Sequence, residues 1–265
     1  MPNLTDKVAL VTGASRGIGK GIALELIDSG ATVYVTGRTA VDMKYVEHGG
    51  DKGIAILCDH RDDVQVETVF RQIVSEQGRL DILVNNVWGG YENMVEDGVF
   101  TWSRPFWQQP VWRWDAMFQA GVRAHYVASR LAAQIMTERQ AGLIVNISFW
   151  AAQKYLSNVA YGVSKAATDK MTADMSEELK KRNVAIVSLY PGLVRTEKVM
   201  EASAWLDMSN SESPQFIGRA IAELAGDSKV MAKTGKVVVA ASLAQEYGFT
   251  DVDGKQPRPL TLSEV

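Results

Sequence analysis

One feature limits what this chain can become more than any other, and it is an alternation. Seven short runs of near-continuous hydrophobicity recur: KVALVTG, ATVYVTG, GIAILC, DILVNN, GLIVNIS, NVAIVSLY and GKVVVA. Amphipathic stretches with apolar residues three and four apart lie between them, among them IGKGIALELIDSG, VQVETVFRQIVSEQG, WDAMFQAGVRAHYVASRLAAQIMTERQ and AYGVSKAATDKMTADMSEELKKRN. A strand that is apolar at every position must be covered on both faces, and helices between successive strands imply parallel crossovers. The expected fold is therefore α/β, with a doubly wound, mostly parallel seven-stranded sheet and helices on both faces. No repeat or low-complexity linker divides the 265 residues, so one domain is expected over 1–265. Two regions break the alternation. Residues 91–114 form an aromatic-rich loop containing Trp102, Trp107, Trp112 and Trp114, and residues 197–214 form a Ser- and Met-rich segment placed like a lid.

The join between the first strand and the first helix reads TGASRGIG. In a Rossmann-like sheet this turn brings backbone N–H groups and a helix N-terminus to a pyrophosphate. The loop offers Gly13, Ser15, Arg16, Gly17, Ile18 and Gly19, with Gly13 for the tight turn, Gly17 for close phosphate approach and Gly19 for helix packing. The second strand ends TVYVTGR, so Arg38 stands in the zone where an NAD site usually places an acidic residue for the ribose 2′-OH. Together with Arg16, that guanidinium suits a 2′-phosphate, and NADP(H) is expected over NAD(H).

Lys and Arg total 28 against 31 Asp and Glu, a net charge of -3, and no basic run offers a surface for nucleic acid or anionic lipid. The partner expected is a small molecule. There is no leader-like N-terminus and no apolar stretch of membrane-spanning length, so neither targeting nor a membrane is expected, and the lone Cys58 suits a reducing, cytoplasmic setting. With three histidines and one cysteine, no spacing suggests a catalytic metal.

YGVSK places Tyr161 and Lys165 one helical turn apart, and Ser148 ends the preceding strand 13 residues earlier. A phenol with a pKa near 10 donates a proton to a carbonyl oxygen at neutral pH. A neighbouring ammonium stabilises the phenolate left behind; a two-unit drop in pKa corresponds to about 2.7 kcal/mol. Ser148 is placed to orient the substrate oxygen.

TGASRGIG, the strand-end arginine, the Asn85-Asn86 pair, Ser148, YGVSK and PGLVRT, in this order and spacing, resemble the short-chain dehydrogenase/reductase family across essentially the whole chain. The resemblance implies Tyr161 as general acid/base, Lys165 as its pKa modifier and ribose contact, and Ser148 as substrate-oxygen donor. It also implies Asp59 at the adenine, Asn85 supporting the cofactor region, Pro191 and Gly192 shaping the nicotinamide side, and Val194 and Thr196 meeting the carboxamide. Two departures stand out. Gly121 occupies the place where the family often has an Asn that holds a water in the proton relay, with His125 one turn later as a substitute or an ordinary surface histidine. NNVWGG puts Trp88 where a small residue is usual. AGVRAHY and EYGFTDVDG point to one animal subgroup of the family, whose further apolar C-terminal extension is not seen after DVDG here.

Taken with Arg16 and Arg38 and with the tryptophans of 91–114, which would wall a ligand near the C-terminal strand edge, the resemblance leads to the expectation of an NADPH-dependent carbonyl reductase or alcohol dehydrogenase acting on an apolar ketone or aldehyde, and it implies a homodimer or homotetramer. Two alternatives are an NADP-binding sensor or scaffold with little hydride transfer and an NAD-linked alcohol dehydrogenase.

Overall fold

The computed structural model describes residues 2–91 and 94–265. Each of the seven apolar runs contains a strand: β1 (Val8–Val11), β2 (Thr32–Gly37), β3 (Gly53–Leu57), β4 (Ile82–Asn85), β5 (Gly142–Ile147), β6 (Val184–Tyr190) and β7 (Val237–Val239). All pair in parallel in the order β3-β2-β1-β4-β5-β6-β7. Chain order reverses between β1 and β4, the switch point at which open α/β sheets bind ligands beyond the strand C-termini.

Alternate residues of each strand supply two separate cores, which explains the unbroken hydrophobicity. Ala9, Val11, Val33, Val35, Val84, Val145 and Val187 point to one face. Their neighbours Leu10, Tyr34, Leu83, Ile144 and Ile186 point to the other. The first face is covered by α1 (Gly17–Asp28), α7 (Pro214–Gly226) and α8 (Ala240–Tyr247), and the second by α2 (Asp63–Gln77), α4 (Ala124–Arg139) and α5 (Val159–Leu179). Contact between α1 and α7 is close enough to need glycine, since a Cβ on Gly21 would lie 2.2 Å from the Pro214 carbonyl carbon. Helix ends follow local chemistry. Asp62 caps α2 by accepting from the amides of Val64 and Gln65, and Gly78 ends it in the left-handed region at φ 64°.

The expected loop 91–114 is partly ordered into regular structure. A two-stranded hairpin joins Val95–Glu96 to Val99–Phe100. Helix α3 (Val111–Met117) then starts three residues before the expected helix, so Trp112 sits on a helix rather than in a loop and Trp114 lies within its first turn. Pro110, just before its first turn, cannot donate an amide hydrogen, which suits a helix start. From α3 the chain passes without a break through a π-helical turn, Phe118–Arg123, into α4. Gly121 lies in that turn. Likewise the lid region contains a short helix, α6 (Glu197–Glu201), and a tight turn over Ser203–Trp205. Among the described residues no helix is long and apolar enough to cross a membrane.

Candidate active site

At the switch point, TGASRGIG runs from β1 into α1 as its sequence suggests. Gly13 and Gly17 both have positive φ, 64° and 57°. A Cβ on Gly13 would sit 2.7 Å from the Val87 Cα, and one on Gly19 would sit 2.4 Å from the Asn86 side-chain nitrogen. Ser15 lies beside Gly37, the penultimate position of the expected arginine zone, while Ile18 turns inward against the first core. Asn86 is the residue that sequence reasoning undervalued. Its Nδ2 donates to the carbonyls of Thr12 and Gly13 at 3.0 and 2.9 Å, and its own amide donates to the Thr12 hydroxyl. Asn85, by contrast, is fully buried and donates to Ser129 and Asn146, a polar bridge inside the sheet's second core. It therefore works within the core, behind the loop that Asn86 braces; the doubled NN gave no way to divide those two jobs.

Beneath the loop, the Thr36 hydroxyl pairs with His60 Nε2 at 2.7 Å and accepts from the Gly13 amide at 3.4 Å. Burial lowers the His60 pKa to about 4. Arg16 and Arg38 are both exposed at the rim. Asp59 forms a close pair with Arg61, which lowers its pKa to about 2, with Arg38 contributing in the same direction. Cys58 is buried, and burial pushes its thiol up to about 12, which suits a core residue.

The far wall comes from β6 and the base of the lid. After Pro191, the Gly192 amide donates to the Glu212 carboxylate at 2.7 Å, and Val194 forms a single parallel bridge with Glu212. Thr196 caps α6 and packs its methyl toward Gly17. The next residue, Glu197, accepts from the Gly17 amide at 3.0 Å. An anionic oxygen thus already sits on the N–H that opens α1, so the donors of this loop suit the pyrophosphate of a dinucleotide.

Tyr161 and Lys165 both face inward from α5 and are 8% and 6% exposed. Asn158 caps that helix by accepting from the Tyr161 amide at 3.0 Å, and its Nδ2 donates to the Trp102 carbonyl at 3.0 Å. One side chain therefore ties the aromatic insert to the helix carrying Tyr161. Around the phenol ring stand Trp102, Trp88, Tyr91 and Phe149, with centroids 5.4, 5.7, 6.1 and 6.3 Å away. Tyr91, although 40% exposed, turns its hydroxyl inward to hydrogen-bond with Tyr161. Arg113 shapes the insert from within: fully buried, it donates to the Thr101 hydroxyl at 2.7 Å and lies over the Trp112 ring. It carried no sequence signal, because an arginine between two tryptophans reads as a helix-surface charge.

Two expectations need correction. The site does not hold the Tyr161 phenol below its ordinary pKa. Burial pushes it well up, and Tyr91 adds to that, so the phenol is neutral. Burial pushes the Lys165 ammonium down to about 7, with Asp169 opposing. Nor is His125 on a surface. It is 1% exposed and donates Nε2–H to the Val87 carbonyl at 2.9 Å, with a pKa lowered to about 3 by burial first and the Lys165 charge second. It braces the loop after β4 as a neutral ring. Ser148, expected to orient the substrate oxygen, is buried; its hydroxyl donates to the Lys165 carbonyl at 3.4 Å and lies on the Tyr190 side.

A glycine-loop dinucleotide site facing an inward Tyr and Lys on one helix defines a class of oxidoreductase. The family model described as short chain dehydrogenase matches residues 7–207. The chain belongs to that family, whose members bind a nicotinamide cofactor and act on small molecules. It is 38% identical over an alignment of 281 residues to the human dehydrogenase/reductase SDR family member 1, spanning 99% of this chain and 88% of that protein. This agrees with the subgroup that AGVRAHY and EYGFTDVDG suggest. The 7alpha-hydroxysteroid dehydrogenase of Escherichia coli is 29% identical over 73% of each chain. The structure of a short-chain dehydrogenase/reductase from Serratia marcescens superposes with a TM-score of 0.77 at 30% identity, covering 89% of this chain and 97% of that one.

Proposed function

We propose that this protein is an NADPH-dependent reductase of apolar ketones or aldehydes, with oxidation of the matching alcohols as the reverse reaction. The observation that carries the reading is the setting of the Tyr161 hydroxyl. A neutral phenol, buried among four aromatic rings with a lysine one turn behind it, is built to give a proton to the oxygen of an apolar carbonyl compound. The name of the Escherichia coli relative, a hydroxysteroid dehydrogenase, supports an apolar substrate class.

When bound, the cofactor supplies a hydride from its nicotinamide ring. The loop Gly13 to Gly19 holds the pyrophosphate, Arg16 and Arg38 receive the 2′-phosphate, and Asp59 lies on the adenine side. Asn85 supports this floor from the core, and Pro191, Gly192, Val194 and Thr196 line the nicotinamide side. Tyr161 donates its proton to the carbonyl oxygen, and Lys165, also the ribose contact, stabilises the phenolate that remains. Ser148 orients the substrate oxygen after a rotation about its Cα–Cβ bond away from the Lys165 carbonyl. The protein acts as a homodimer or homotetramer.

NADPH consumption on a panel of apolar ketones and aldehydes tests the reading. Tyr161→Phe is expected to lower turnover by about 10²- to 10⁴-fold while NADPH binding is retained; full turnover in that variant overturns the assignment. Calorimetric titration is expected to give NADPH at least tenfold tighter binding than NADH, about 1.4 kcal/mol, and Arg38→Ala is expected to narrow the gap. Equal affinities in the unmodified protein would remove the arginine argument. Tight NADPH binding with no turnover on the panel would favour the sensor alternative.

A further inference from the structure

The two places where the chain departs from its family's pattern, Trp88 and Gly121, touch each other. A Cβ built on Gly121 would lie 2.7 and 2.8 Å from Cζ3 and Cε3 of the Trp88 indole, closer than real Cβ atoms come. The indole occupies the room into which any side chain at 121 would project. Its seat is rigid on the other sides. His125 braces the Val87 carbonyl just before it. The two glycines just after it lie flat on α3, where a Cβ on Gly89 would meet the Ala116 carbonyl at 2.8 Å and one on Gly90 the Met117 side chain at 2.8 Å. The π-helical turn of Phe118–Arg123 is where Gly121 faces this ring.

The same indole reaches both members of the acid/base pair. Lys165 Nζ lies 3.9 Å from the centre of the Trp88 ring, and the ring meets Tyr161 edge-on at 5.7 Å and 83°. The ammonium is buried and has three hydrogens to place, yet among the described residues it makes one hydrogen bond, to the Ile147 carbonyl at 3.1 Å. Water-excluded ammonium groups need compensation, and an indole face is the best aromatic surface for one. Among the described residues Trp88 Nε1 makes no hydrogen bond, so what the ring offers Lys165 is its face.

We propose that Trp88 is the positioning residue for the Lys165 ammonium, and that Gly121 is glycine in order to admit its indole. The two departures are then one exchange: a π face takes over the part of Lys165's environment that a polar side chain at 121 would otherwise help to build. This rests on the reading of Tyr161 and Lys165 as the acid/base pair. The other titratable groups facing that pair are Tyr91, His125, Asp169 and Tyr190.

Two measurements on the full chain test it, neither of which depends on turnover. Thermal melting of Gly121→Asn, Trp88→Ala and the double variant should show strong non-additivity. Gly121→Asn is expected to lower Tm markedly in the presence of Trp88 and to cost little once Trp88 is alanine. Additive losses would separate the two residues and overturn the exchange. Lys165 is then titrated by NMR through 13Cε-labelled lysine, assigned with Lys165→Met. Replacing the tryptophans with mono-, di- and trifluorotryptophan weakens the ring face while keeping its shape, so the titration can be read even if Trp88→Ala unfolds. The Lys165 midpoint is expected to fall progressively, by about one pH unit in all, and Trp88→Phe to fall between. A midpoint indifferent to fluorination overturns the positioning role. If Tyr161→Phe kept full turnover, the catalytic reading would fail while these two results stood, so the two failures are distinguishable.

Discussion

The floor beneath the glycine loop and segment 197–214 across from it are held in different ways, and the difference separates what must stay fixed from what is open to change. Beneath TGASRGIG, most of the stays are side-chain hydrogen bonds from residues in or just beyond a strand: Thr12 and Asn86 on the loop itself, and Thr36 with His60 beneath it, joined by the Tyr45 hydroxyl on the Ala14 carbonyl. Segment 197–214 is held near its two ends, with Asn210 also exchanging two hydrogen bonds with the Arg258 backbone. At one end Thr196 and Glu197 rest on Gly17. At the other, the Asp251 carboxylate gathers Arg195 Nη2 at 2.8 Å, the Ser213 amide at 2.8 Å and the Ser213 hydroxyl. Between them Trp205 stands 88% exposed.

Breaking the pinned end should have the largest effect. Asp251 is 2% exposed, and it belongs to the DVDG segment that marks the subgroup. Asp251→Ala leaves the Ser213 amide and one edge of Arg195 without an acceptor, although Arg195 still donates to the Ser211 carbonyl at 2.7 Å. The expected loss is about 3 kcal/mol of stability, read by urea unfolding. Asp251→Asn should lose less, since an amide oxygen can still accept. A loss under about 0.5 kcal/mol, the range of ordinary surface changes, would show that the lid base is held elsewhere.

Acid should loosen the floor next. His60 is buried and neutral, with its pKa lowered from 6.5 to about 4. In the unfolded chain it takes up a proton at higher pH than in the fold, so the unfolded state binds more protons between about pH 6.5 and 4. Stability is then full above pH 6.5 and falls as pH drops through that window, by on the order of 3 kcal/mol at pH 4. His125, lowered to about 3, extends the fall in the same direction. Chemical unfolding of the unmodified protein and His60→Asn from pH 7 to 4 checks this. The variant is expected to show a shallower pH slope, and equal slopes would remove His60 from the floor's acid sensitivity.

Legibility in the sequence followed the same divide. All seven strands could be read, because burial on both faces writes itself as uninterrupted apolar runs such as ILVN and VAIVSLY. The glycine loop and the Tyr161–Lys165 pair were legible because their chemistry demands fixed spacing. What escaped was whatever depends on a partner distant in sequence. Trp88 and Gly121 read as two separate oddities, since nothing local says that one ring fills the space over the other. Arg113 gave no signal for a different reason: its partners, Thr101 and Gln109, are close in sequence, but they take its guanidinium only because the insert folds back over it. The effect of burial on Tyr161 and Lys165 was equally out of reach: spacing reports that two groups are neighbours, whereas their pKa values depend on how much water reaches both.

The tip of the lid should give the smallest change in stability and the clearest separation of stability from function. Trp205 buries little surface, so Trp205→Ala is expected to change unfolding free energy by no more than about 0.5 kcal/mol. If the lid closes over an apolar substrate, the same indole becomes buried in that state, and its loss raises KM for bulky apolar carbonyl compounds more than for small ones while NADPH affinity stays unchanged. Steady-state kinetics on a size series of ketones reads that split. A uniform fall in kcat across the series would instead make Trp205 part of the chemistry's support. No change at all would confine the lid's work to its pinned ends, where Glu197 meets the amide of Gly17.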